Sequence, residues 1–360
     1  MNPKPRILFL SLTDNDGAYA PIAEMGRLGC DCALMSPPGF TCSLSRFASR
    51  HFHLPRHRGM WLGILRVRSR LERAVREWHP DLIVPLDDVA AWVLRGHATG
   101  RSLSAELRRI LETSLGSPSG YATTSSRSRF LEFATRIGVR VPQSRAVERP
   151  AVLAAASTTG YPVALKREDS WGGRGVQIAH DPEQLKAAIV AVGNGRWGSL
   201  TRVRAAARRL IWRLASIRST KTTFELQQFI PGAGAMRIVA AWQGRVLAGV
   251  TFEKLCEHPK ASGPSTVTRV IEHPEIEEMA RQVVAALSYT GFAHFDFILD
   301  KASGRAFVIE MNTRATASVH LGRLFGHDVC GAMARQLGGA NGNHGGDSSA
   351  GANAHRAFPA

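Results

Sequence analysis

The sequence predicts an α/β fold in its first part and an α+β fold in the rest. Between residues 6 and 88, short apolar runs alternate with stretches of helical spacing, as in a parallel sheet covered by helices. From residue 161 onward, apolar strands are joined by glycine-containing turns, and they end in a hairpin-like segment at 292–314. The order of these signals predicts at least two structural units.

The first part contains three predicted strands and two predicted helices. In chain order they are Arg6–Leu12 (strand), Tyr19–Leu28 (helix), Cys30–Met35 (strand), Leu65–Trp78 (helix) and 80–88 (strand). This alternation predicts a small Rossmann-like unit. No glycine fingerprint for a dinucleotide follows the first strand, which argues against binding of NAD or FAD.

Two acids, Asp87 and Asp88, follow the last of these strands. At the carboxyl end of a strand they are placed to contact an amine substrate. Alternatively, one of them caps the following helix through the backbone N–H groups of its first turn.

The segment 292–314 reads as two strands joined by a turn at Lys301 to Arg305. Pairing Asp300 with Ala306 places Ile298 opposite Val308, Asp296 opposite Glu310, and His294 opposite Asn312 on one face. Two facing carboxylates repel each other unless a cation lies between them or one is protonated. Mg²⁺ suits such oxygen ligands. The alternative is a surface hairpin whose acids point into water.

Upstream, residues 161–166 form an apolar run that ends in Lys166 and enters a glycine-rich stretch, 167–176. Glycine lets backbone N–H groups approach a phosphate closely, while Lys166 and Arg174 supply positive charge. A plain hairpin connection between two strands is the alternative interpretation.

Taken in order, Lys166 with its glycine loop, residues 225–232, and the acids Asp296 and Glu310 resemble the ATP-grasp superfamily. This family includes biotin carboxylase, carbamoyl phosphate synthetase and the D-alanine ligases. The resemblance covers roughly residues 120 to 335, and residues 309–314 are especially similar to biotin carboxylase. It implies a Rossmann-like pre-ATP-grasp domain followed by a two-lobed ATP-grasp fold. It also implies an ATP-dependent ligase that activates a small-molecule carboxylate as an acyl phosphate for attack by an amine or other nucleophile.

The resemblance assigns the Mg²⁺ ligands, with Mn²⁺ as an alternative metal, to Asp296, Glu310 and Asn312. Arg314 would contact the anionic substrate or acyl phosphate, and Lys254 would lie on the substrate side. A solvent-exposed lysine at a strand end is the alternative for Lys254. His294 would donate to the transferred phosphoryl group, or it is an ordinary strand histidine.

The resemblance also assigns the ATP contacts. Arg127 takes the place of a phosphate-binding lysine, and Lys166 would touch the α- and β-phosphates. The loop over the triphosphate would comprise Ser170, Gly172, Gly173, Arg174 and Gly175. The adenine hinge would comprise Gln227, Gln228, Phe229 and Ile230. The chain departs from its relatives at this hinge, because Gln227 replaces the usual glutamate and no ribose-binding carboxylate follows.

The predicted domains are a Rossmann-like domain at 1–115, an ATP-grasp domain at 116–338 with its nucleotide lobe ending near 230, and a disordered tail at 339–360. No apolar run is long enough to span a membrane. The five cysteines are odd in number and lack the spacing of a zinc site, which predicts reduced thiols in the cytoplasm.

The net charge of +17 is concentrated partly in an arginine-rich segment, 196–221, whose apolar residues recur at helical spacing. One interpretation packs this helix on the nucleotide lobe. The other makes it a docking surface for an acidic partner or an anionic surface, so that the chain would be a catalytically weak ATP-binding adaptor. Nucleic-acid binding is disfavoured because aromatic residues are not interleaved with the basic ones.

Overall fold

The computed structural model of the chain describes most of the sequence. The described ranges are 4–15, 17–55, 60–100, 103–167, 175–193, 223–258 and 265–339. The predicted basic helix at 196–221, the loop residues Ser170 to Arg174 and the tail from 340 lie outside these ranges. Among the described helices, none is both long enough and apolar enough to cross a membrane.

The first sheet has four parallel strands in the order β3-β2-β1-β4. Its strands are β1 (Arg6–Leu10), β2 (Asp31–Ser36), β3 (Ala48–His53) and β4 (Leu82–Pro85). Four helices belong to this part: α1 (Tyr19–Arg27), α2 (Met60–Trp78), α3 (Asp88–Ala98) and α4 (Ala105–Leu115). The predicted strands and helices are therefore present, although α2 begins at Met60 instead of Leu65.

Both faces of this sheet are buried. Leu8 and Leu10 pack on the core that includes α2, α3 and α4, whereas Ile7 and Phe9 pack on the core that includes α1. A parallel strand covered on both faces needs a continuous apolar run, which is what the sequence has there.

Two short helices, α5 (Tyr121–Thr124) and α6 (Arg127–Arg136), lead into the second sheet. Its four antiparallel strands, in the order β5-β8-β6-β7, are β5 (Ser144–Glu148), β6 (Val163–Arg167), β7 (Val176–Ala179) and β8 (Thr223–Gln228). Helices α7 (Val152–Thr159) and α8 (Pro182–Gly193) cover it.

The third sheet has five antiparallel strands in the order β11-β10-β9-β12-β13. They are β9 (Gly232–Trp242), β10 (Arg245–Glu257), β11 (Ser265–Ile271), β12 (Gly291–Asp300) and β13 (Ala306–Asn312). The remaining helices are α9 (Pro274–Ala286), a 3₁₀ helix (Ala317–Phe325) and α10 (Val329–Leu337).

The third sheet packs between two cores. Phe295 and Phe297 of β12 face α6 and α9, while Phe292, on the opposite face, shares a core with Ile7 and Phe9 of the first sheet. His294 and Asp296 follow Phe292 on that opposite face. The candidate site therefore begins where the core between the first and third sheets ends.

The hairpin β12–β13 has the predicted turn, but its register near the turn differs from the prediction. Asp296 pairs with Glu310 and His294 with Asn312, as predicted. Nearer the turn, Leu299 and not Asp300 pairs with Ala306, and Phe297 and not Ile298 pairs with Val308. The shift occurs because Ile309 is an extra residue on β13, a β-bulge beside the paired acids.

Candidate active site

The acidic face of the hairpin lies at the centre of the candidate site. Asp296 and Glu310 are directly paired across β12 and β13, and Asn312 Nδ2 donates to Asp296 Oδ2 at 3.2 Å. The side chain of Asp296 is only 15% exposed and that of Glu310 is 32% exposed. The acids are therefore not on an open surface hairpin.

Lys254 of β10 is the nearest cation to Asp296, with its Nζ 2.7 Å from Asp296 Oδ1. Burial alone would lower the pKa of Lys254, but the charge and hydrogen bond of Asp296, together with the charges of Glu257 and Glu310, outweigh burial and raise it. Burial alone would raise the pKa of Asp296, and Lys254 and His294 together hold it well below its usual range. The alternative of a solvent-exposed Lys254 does not fit this geometry.

Gly234 explains how Lys254 reaches the hairpin. This glycine lies on β9, between β10 and β12, and a Cβ built there would be 3.0 Å from Lys254 Cδ. A side chain at this position would crowd the lysine stem. The missing Cβ leaves room for the stem to cross β9 toward Asp296.

His294 stays close to the acids. Its Nε2 is 3.4 Å from Asp296 Oδ1, and its buried Nδ1 has no hydrogen-bond partner within the described residues. A contact of this length is weak, so the Lys254 ammonium dominates the surroundings of Asp296.

Arg127, the first residue of α6, connects the hairpin to the second sheet. Its Nη2 donates to Glu310 Oε1 at 3.2 Å, and its Nη1 donates to the carbonyl of Arg167 at 3.3 Å. Ser126 caps α6 by accepting the backbone N–H of Arg129, which fixes the start of the helix and hence the position of Arg127. Each of the paired acids therefore has a basic partner from another element.

Lys166 lies in a separate network in the second sheet. Its Nζ donates to Gln227 Oε1 at 2.7 Å, and it lies 3.9 Å from the Oε1 of Glu225, which is fully buried. Gln227 Nε2 donates to Glu225 at 3.0 Å and to Ser144 Oγ at 2.9 Å. Burial lowers the pKa of Lys166, and Glu225 partly opposes this shift.

The backbone of the predicted hinge is partly engaged. The N–H of Gln228 donates to the Gln143 carbonyl at 2.8 Å, and the N–H of Phe229 donates to the Pro162 carbonyl at 3.3 Å. The Ile230 N–H makes no hydrogen bond to any residue that the structure describes. The Ile230 N–H therefore remains able to donate a hydrogen bond to a ligand at the predicted hinge.

Arg314 lies beyond the end of β13, where its Nε donates to Asp88 Oδ1 at 2.8 Å. A backbone hydrogen bond from Ala315 to the Pro85 carbonyl joins the same two segments. Buried Arg95, on α3, donates to Thr313 Oγ1. The segment after β13 is thus fixed to the carboxyl end of β4.

The two acids after β4 have different roles. Asp87 is buried and accepts the N–H groups of Ala90, Leu12 and Thr13, so it caps α3, as one alternative predicted. Asp88 instead faces a small pocket of about 50 Å³. The residues lining the pocket include Asp88, Trp92, Ser125, Arg127, Glu310 and Asn312.

The donor set of the hairpin fits a hard cation. Two carboxylates and an amide offer oxygen ligands, and Lys254 already places positive charge against Asp296. No group of three or more His, Cys, Asp and Glu residues in the described ranges is arranged to hold a metal. Mg²⁺ commonly uses one or two carboxylates and takes its other ligands from phosphates or water, so the carboxylates of Asp296 and Glu310 suit it.

Comparison with known proteins finds similarity in both sequence and fold. The family model of the carbamoyl-phosphate synthase L chain ATP-binding domain matches residues 126–196 and 261–338. The biotin carboxylase domain of Hydrogenobacter thermophilus 2-oxoglutarate carboxylase, solved with MgADP and bicarbonate, has a TM-score of 0.63. It is 18% identical and covers 94% of this chain and 70% of its own. In these two ranges the chain is similar to that ATP-binding domain, and its overall fold is similar to that of the biotin carboxylase domain.

A second solved structure and a curated protein are also similar to this chain. An L-amino acid ligase from Bacillus licheniformis has a TM-score of 0.59 at 17% identity, covering 94% of this chain and 75% of its own. Among curated proteins, the carbamoyl phosphate synthase large chain of Thermotoga maritima is 28% identical over 258 residues, which is 69% of this chain. The match spans only about a fifth (21%) of that relative's length.

The two ranges matched by the family model contain Arg127, Lys166, Asp296, Glu310 and Arg314, whereas Lys254 and the predicted hinge lie between them. Sequence reasoning gave no role to Glu225 or Arg95. Helical spacing was the available signal for Arg95, since it follows Asp88 by seven residues on α3 and so shares its face. Nothing local marked Glu225, whose role depends on its pairing with Lys166 across β6 and β8.

Proposed function

We propose that the chain is an ATP- and Mg²⁺-dependent ligase that activates a small-molecule carboxylate as an acyl phosphate for attack by an amine or other nucleophile. The observation that carries the proposal is the pair Asp296–Glu310, which faces basic side chains from three other parts of the fold. These are Lys254, Arg127 and Arg314. Alternating charges of this kind suit a triphosphate, a metal ion and an anionic substrate held together.

Each predicted residue has a place in this proposal. Asp296, Glu310 and Asn312 would hold Mg²⁺, or Mn²⁺ in its place, and the bound ion would supply positive charge to the phosphates. Arg127 and Lys166 would contact phosphate oxygens, together with the loop Ser170–Gly175, of which only Gly175 lies in the described residues. The hinge from Gln227 to Ile230 would hold adenine. Arg314, Lys254 and His294 would face the substrate and the transferred phosphoryl group.

The proposed reaction consists of two displacement steps. A carboxylate oxygen attacks the γ-phosphorus, the bond to the β–γ bridging oxygen breaks, and ADP leaves with the electron pair. The amine nitrogen then attacks the carbonyl carbon, the carbon–oxygen bond to phosphate breaks, and phosphate leaves while the amine loses a proton to solvent. The contribution of the protein is to hold the reactants in line and to exclude water from the acyl phosphate.

The domain organisation also remains a proposal. A Rossmann-like domain at 1–115 would line the substrate cleft, and an ATP-grasp domain at 116–338 would follow it. A reducing, cytoplasmic setting accords with the five unpaired cysteines, four of which are buried. The partners would be the small-molecule carboxylate and the nucleophile.

The test is ADP formation from Mg-ATP in the presence of pooled metabolite acids and amines. Glu310→Ala should reduce substrate-stimulated ADP formation by about a hundredfold, because it removes charge that positions the phosphoryl group. Glu132→Ala, an exposed acid on α6, is the matched control and should keep wild-type activity.

ADP formation that is unstimulated by every pool, or unaffected by Glu310→Ala, would contradict a ligase. If ATP still bound under those conditions, the weakly catalytic adaptor would become the better account. The basic segment 196–221, on which that alternative rests, lies outside the described residues.

A further inference from the structure

The ion pair between Asp88 and Arg314 uses only one atom of each charged group. Only Arg314 Nε and Asp88 Oδ1 are joined, at 2.8 Å, and each side chain remains 20% exposed. Within the described residues, the contact between Arg314 Nε and Asp88 Oδ1 is the one hydrogen bond that either side chain makes, so it engages neither the terminal nitrogens of Arg314 nor Asp88 Oδ2. A guanidinium fork and a carboxylate oxygen are therefore both available to a ligand from adjacent positions.

Other contacts also join the two segments that carry this pair. The Ala315 N–H already binds the Pro85 carbonyl at 3.0 Å, and Arg95 already fixes Thr313. The neighbouring acid, Asp87, shows what a structural carboxylate looks like here, since it is buried and accepts several backbone N–H groups. Asp88 has only the one bond to Arg314 and otherwise faces the pocket.

The charges around Arg314 select the kind of ligand. Three acids, Asp88, Glu310 and Asp87, place negative charge near the guanidinium of Arg314, and Asp88 contacts it directly. A simple carboxylate brought to Arg314 would meet the negative charge of Asp88 at close range. A ligand that also carries an ammonium turns this repulsion into attraction.

We propose that the activated acid is an α-amino acid, with its carboxylate held by Arg314 and its ammonium held by Asp88. The α-amino and carboxylate groups share one carbon, so they match two opposite charges that already touch. The side chain of the amino acid would lie in the pocket lined by Ala91, Trp92 and Thr313. The activation of its carboxylate rests on the proposed ligase function, whereas its binding does not.

The experiment uses matched ligand pairs: glycine with acetate, alanine with propionate, and a pool of amino acids with the corresponding des-amino acids. Binding to the full-length protein is measured by titration calorimetry, and ADP formation from Mg-ATP is measured separately with an amine pool present. The amino acids should bind and stimulate at least about tenfold better than their des-amino partners, because a site built around an ammonium rejects the analogue that lacks it.

Asp88→Asn keeps the shape of the side chain and removes its charge. It should weaken amino-acid binding and raise the KM for the amino acid by about tenfold or more, while the des-amino acids bind as well as before or better. Asp88→Glu should restore part of the preference. Glu132→Gln, on the exposed face of α6, should leave the preference unchanged.

The outcomes separate the two proposals. Amino-acid binding that depends on Asp88 without ADP formation would support this inference and contradict the ligase. Equal stimulation by amino acids and des-amino acids would support the ligase and overturn this inference. Failure of both pools to bind or stimulate would overturn both, and the wild-type ligand preference decides the matter even if Asp88→Asn does not fold.

Discussion

The two lysines of the candidate site meet their carboxylates in different ways. Lys254 touches Asp296 directly at 2.7 Å, and Asp296 also faces a second acid, Glu310, across the hairpin. Lys166 instead touches the neutral amide of Gln227 at 2.7 Å, and its nearest carboxylate, Glu225, lies at 3.9 Å. We expect a bound metal ion to be able to take over the positive charge that Lys254 supplies in the first network, whereas Lys166 supplies the charge in the second.

The two lysines therefore supply positive charge to different kinds of network. In the hairpin, two carboxylates share one face, so a metal ion can replace or supplement the positive charge that Lys254 supplies. In the second sheet, one buried lysine faces one buried glutamate, and Gln227 sets the orientation between them. Among the residues that the structure describes, no other carboxylate lies within ion-pair distance of Lys166. The hairpin network is suited to binding and releasing a metal ion. The network in the second sheet is suited to keeping the positive charge of Lys166 in one place.

The largest expected effect on stability follows from removing the carboxylate charge of Glu225 beside Lys166. Glu225→Gln leaves the Lys166 ammonium buried without a carboxylate, and we expect the free energy of unfolding to fall by about 3 kcal/mol. Denaturant titration measures this loss. The double variant Lys166→Met, Glu225→Gln should recover much of it, because no buried charge is then left uncompensated.

Glu183→Gln is the matched control for that loss. Its lysine partner, Lys186, lies only 2.6 Å away, but both side chains are largely exposed, so water replaces the lost contact. We expect little change in stability. Equal losses in Glu225→Gln and Glu183→Gln would mean that burial does not distinguish the two pairs.

The next largest effect on stability is expected at Lys254, in the hairpin network. Lys254→Met leaves Asp296 facing Glu310 with less positive charge, and we expect a loss of about 2 kcal/mol in the presence of a chelator. Added Mg²⁺ should restore most of this stability, because the ion supplies the missing charge at the same carboxylates. Denaturant titrations with chelator and with Mg²⁺ measure the difference.

The loss in Glu225→Gln, by contrast, should be the same with and without Mg²⁺. If Mg²⁺ restored the stability of both variants alike, or of neither, the proposed difference between the two networks would be wrong. Wild-type protein at each Mg²⁺ concentration provides the reference, since it also gains stability when it binds the ion.

The acidic face could be predicted from sequence because it is local. Residue alternation on β12 and β13 is enough to place Asp296 and Glu310 together once the turn is found. The register near the turn was wrong because the bulge at Ile309 adds one residue without any composition signal. A chain of alternating apolar residues accommodates such a bulge at several positions.

The partners of those acids could not be predicted in the same way. Arg127 lies 183 residues from Glu310, and Asp88 lies 226 residues from Arg314. Such contacts depend on how the three sheets pack, and no periodicity in the sequence encodes that packing. The family resemblance supplied the residue types, whereas the identity of each ion pair came from the structure.

A third buried base extends the comparison to a group without any counter-charge. His97, near the end of α3, has a buried Nε2 with no hydrogen-bond partner within the described part of the chain. Burial, with a smaller contribution from Arg68, lowers the pKa of His97 from 6.5 to about 4. Unlike Lys166 and Lys254, this residue avoids an unpaired charge by staying neutral.

The smallest expected effect follows from that neutrality. Between about pH 6.5 and pH 4, the unfolded chain binds a proton at His97 and the folded chain does not, so stability falls as the pH falls. We expect His97 to account for a loss of about 1.5 kcal/mol between about pH 7 and pH 5. Denaturant titrations across this range should show a shallower decline for His97→Leu than for wild type. His53→Gln, on an exposed part of β3, should keep the wild-type slope, and an unchanged slope in His97→Leu would show that burial does not keep this base neutral.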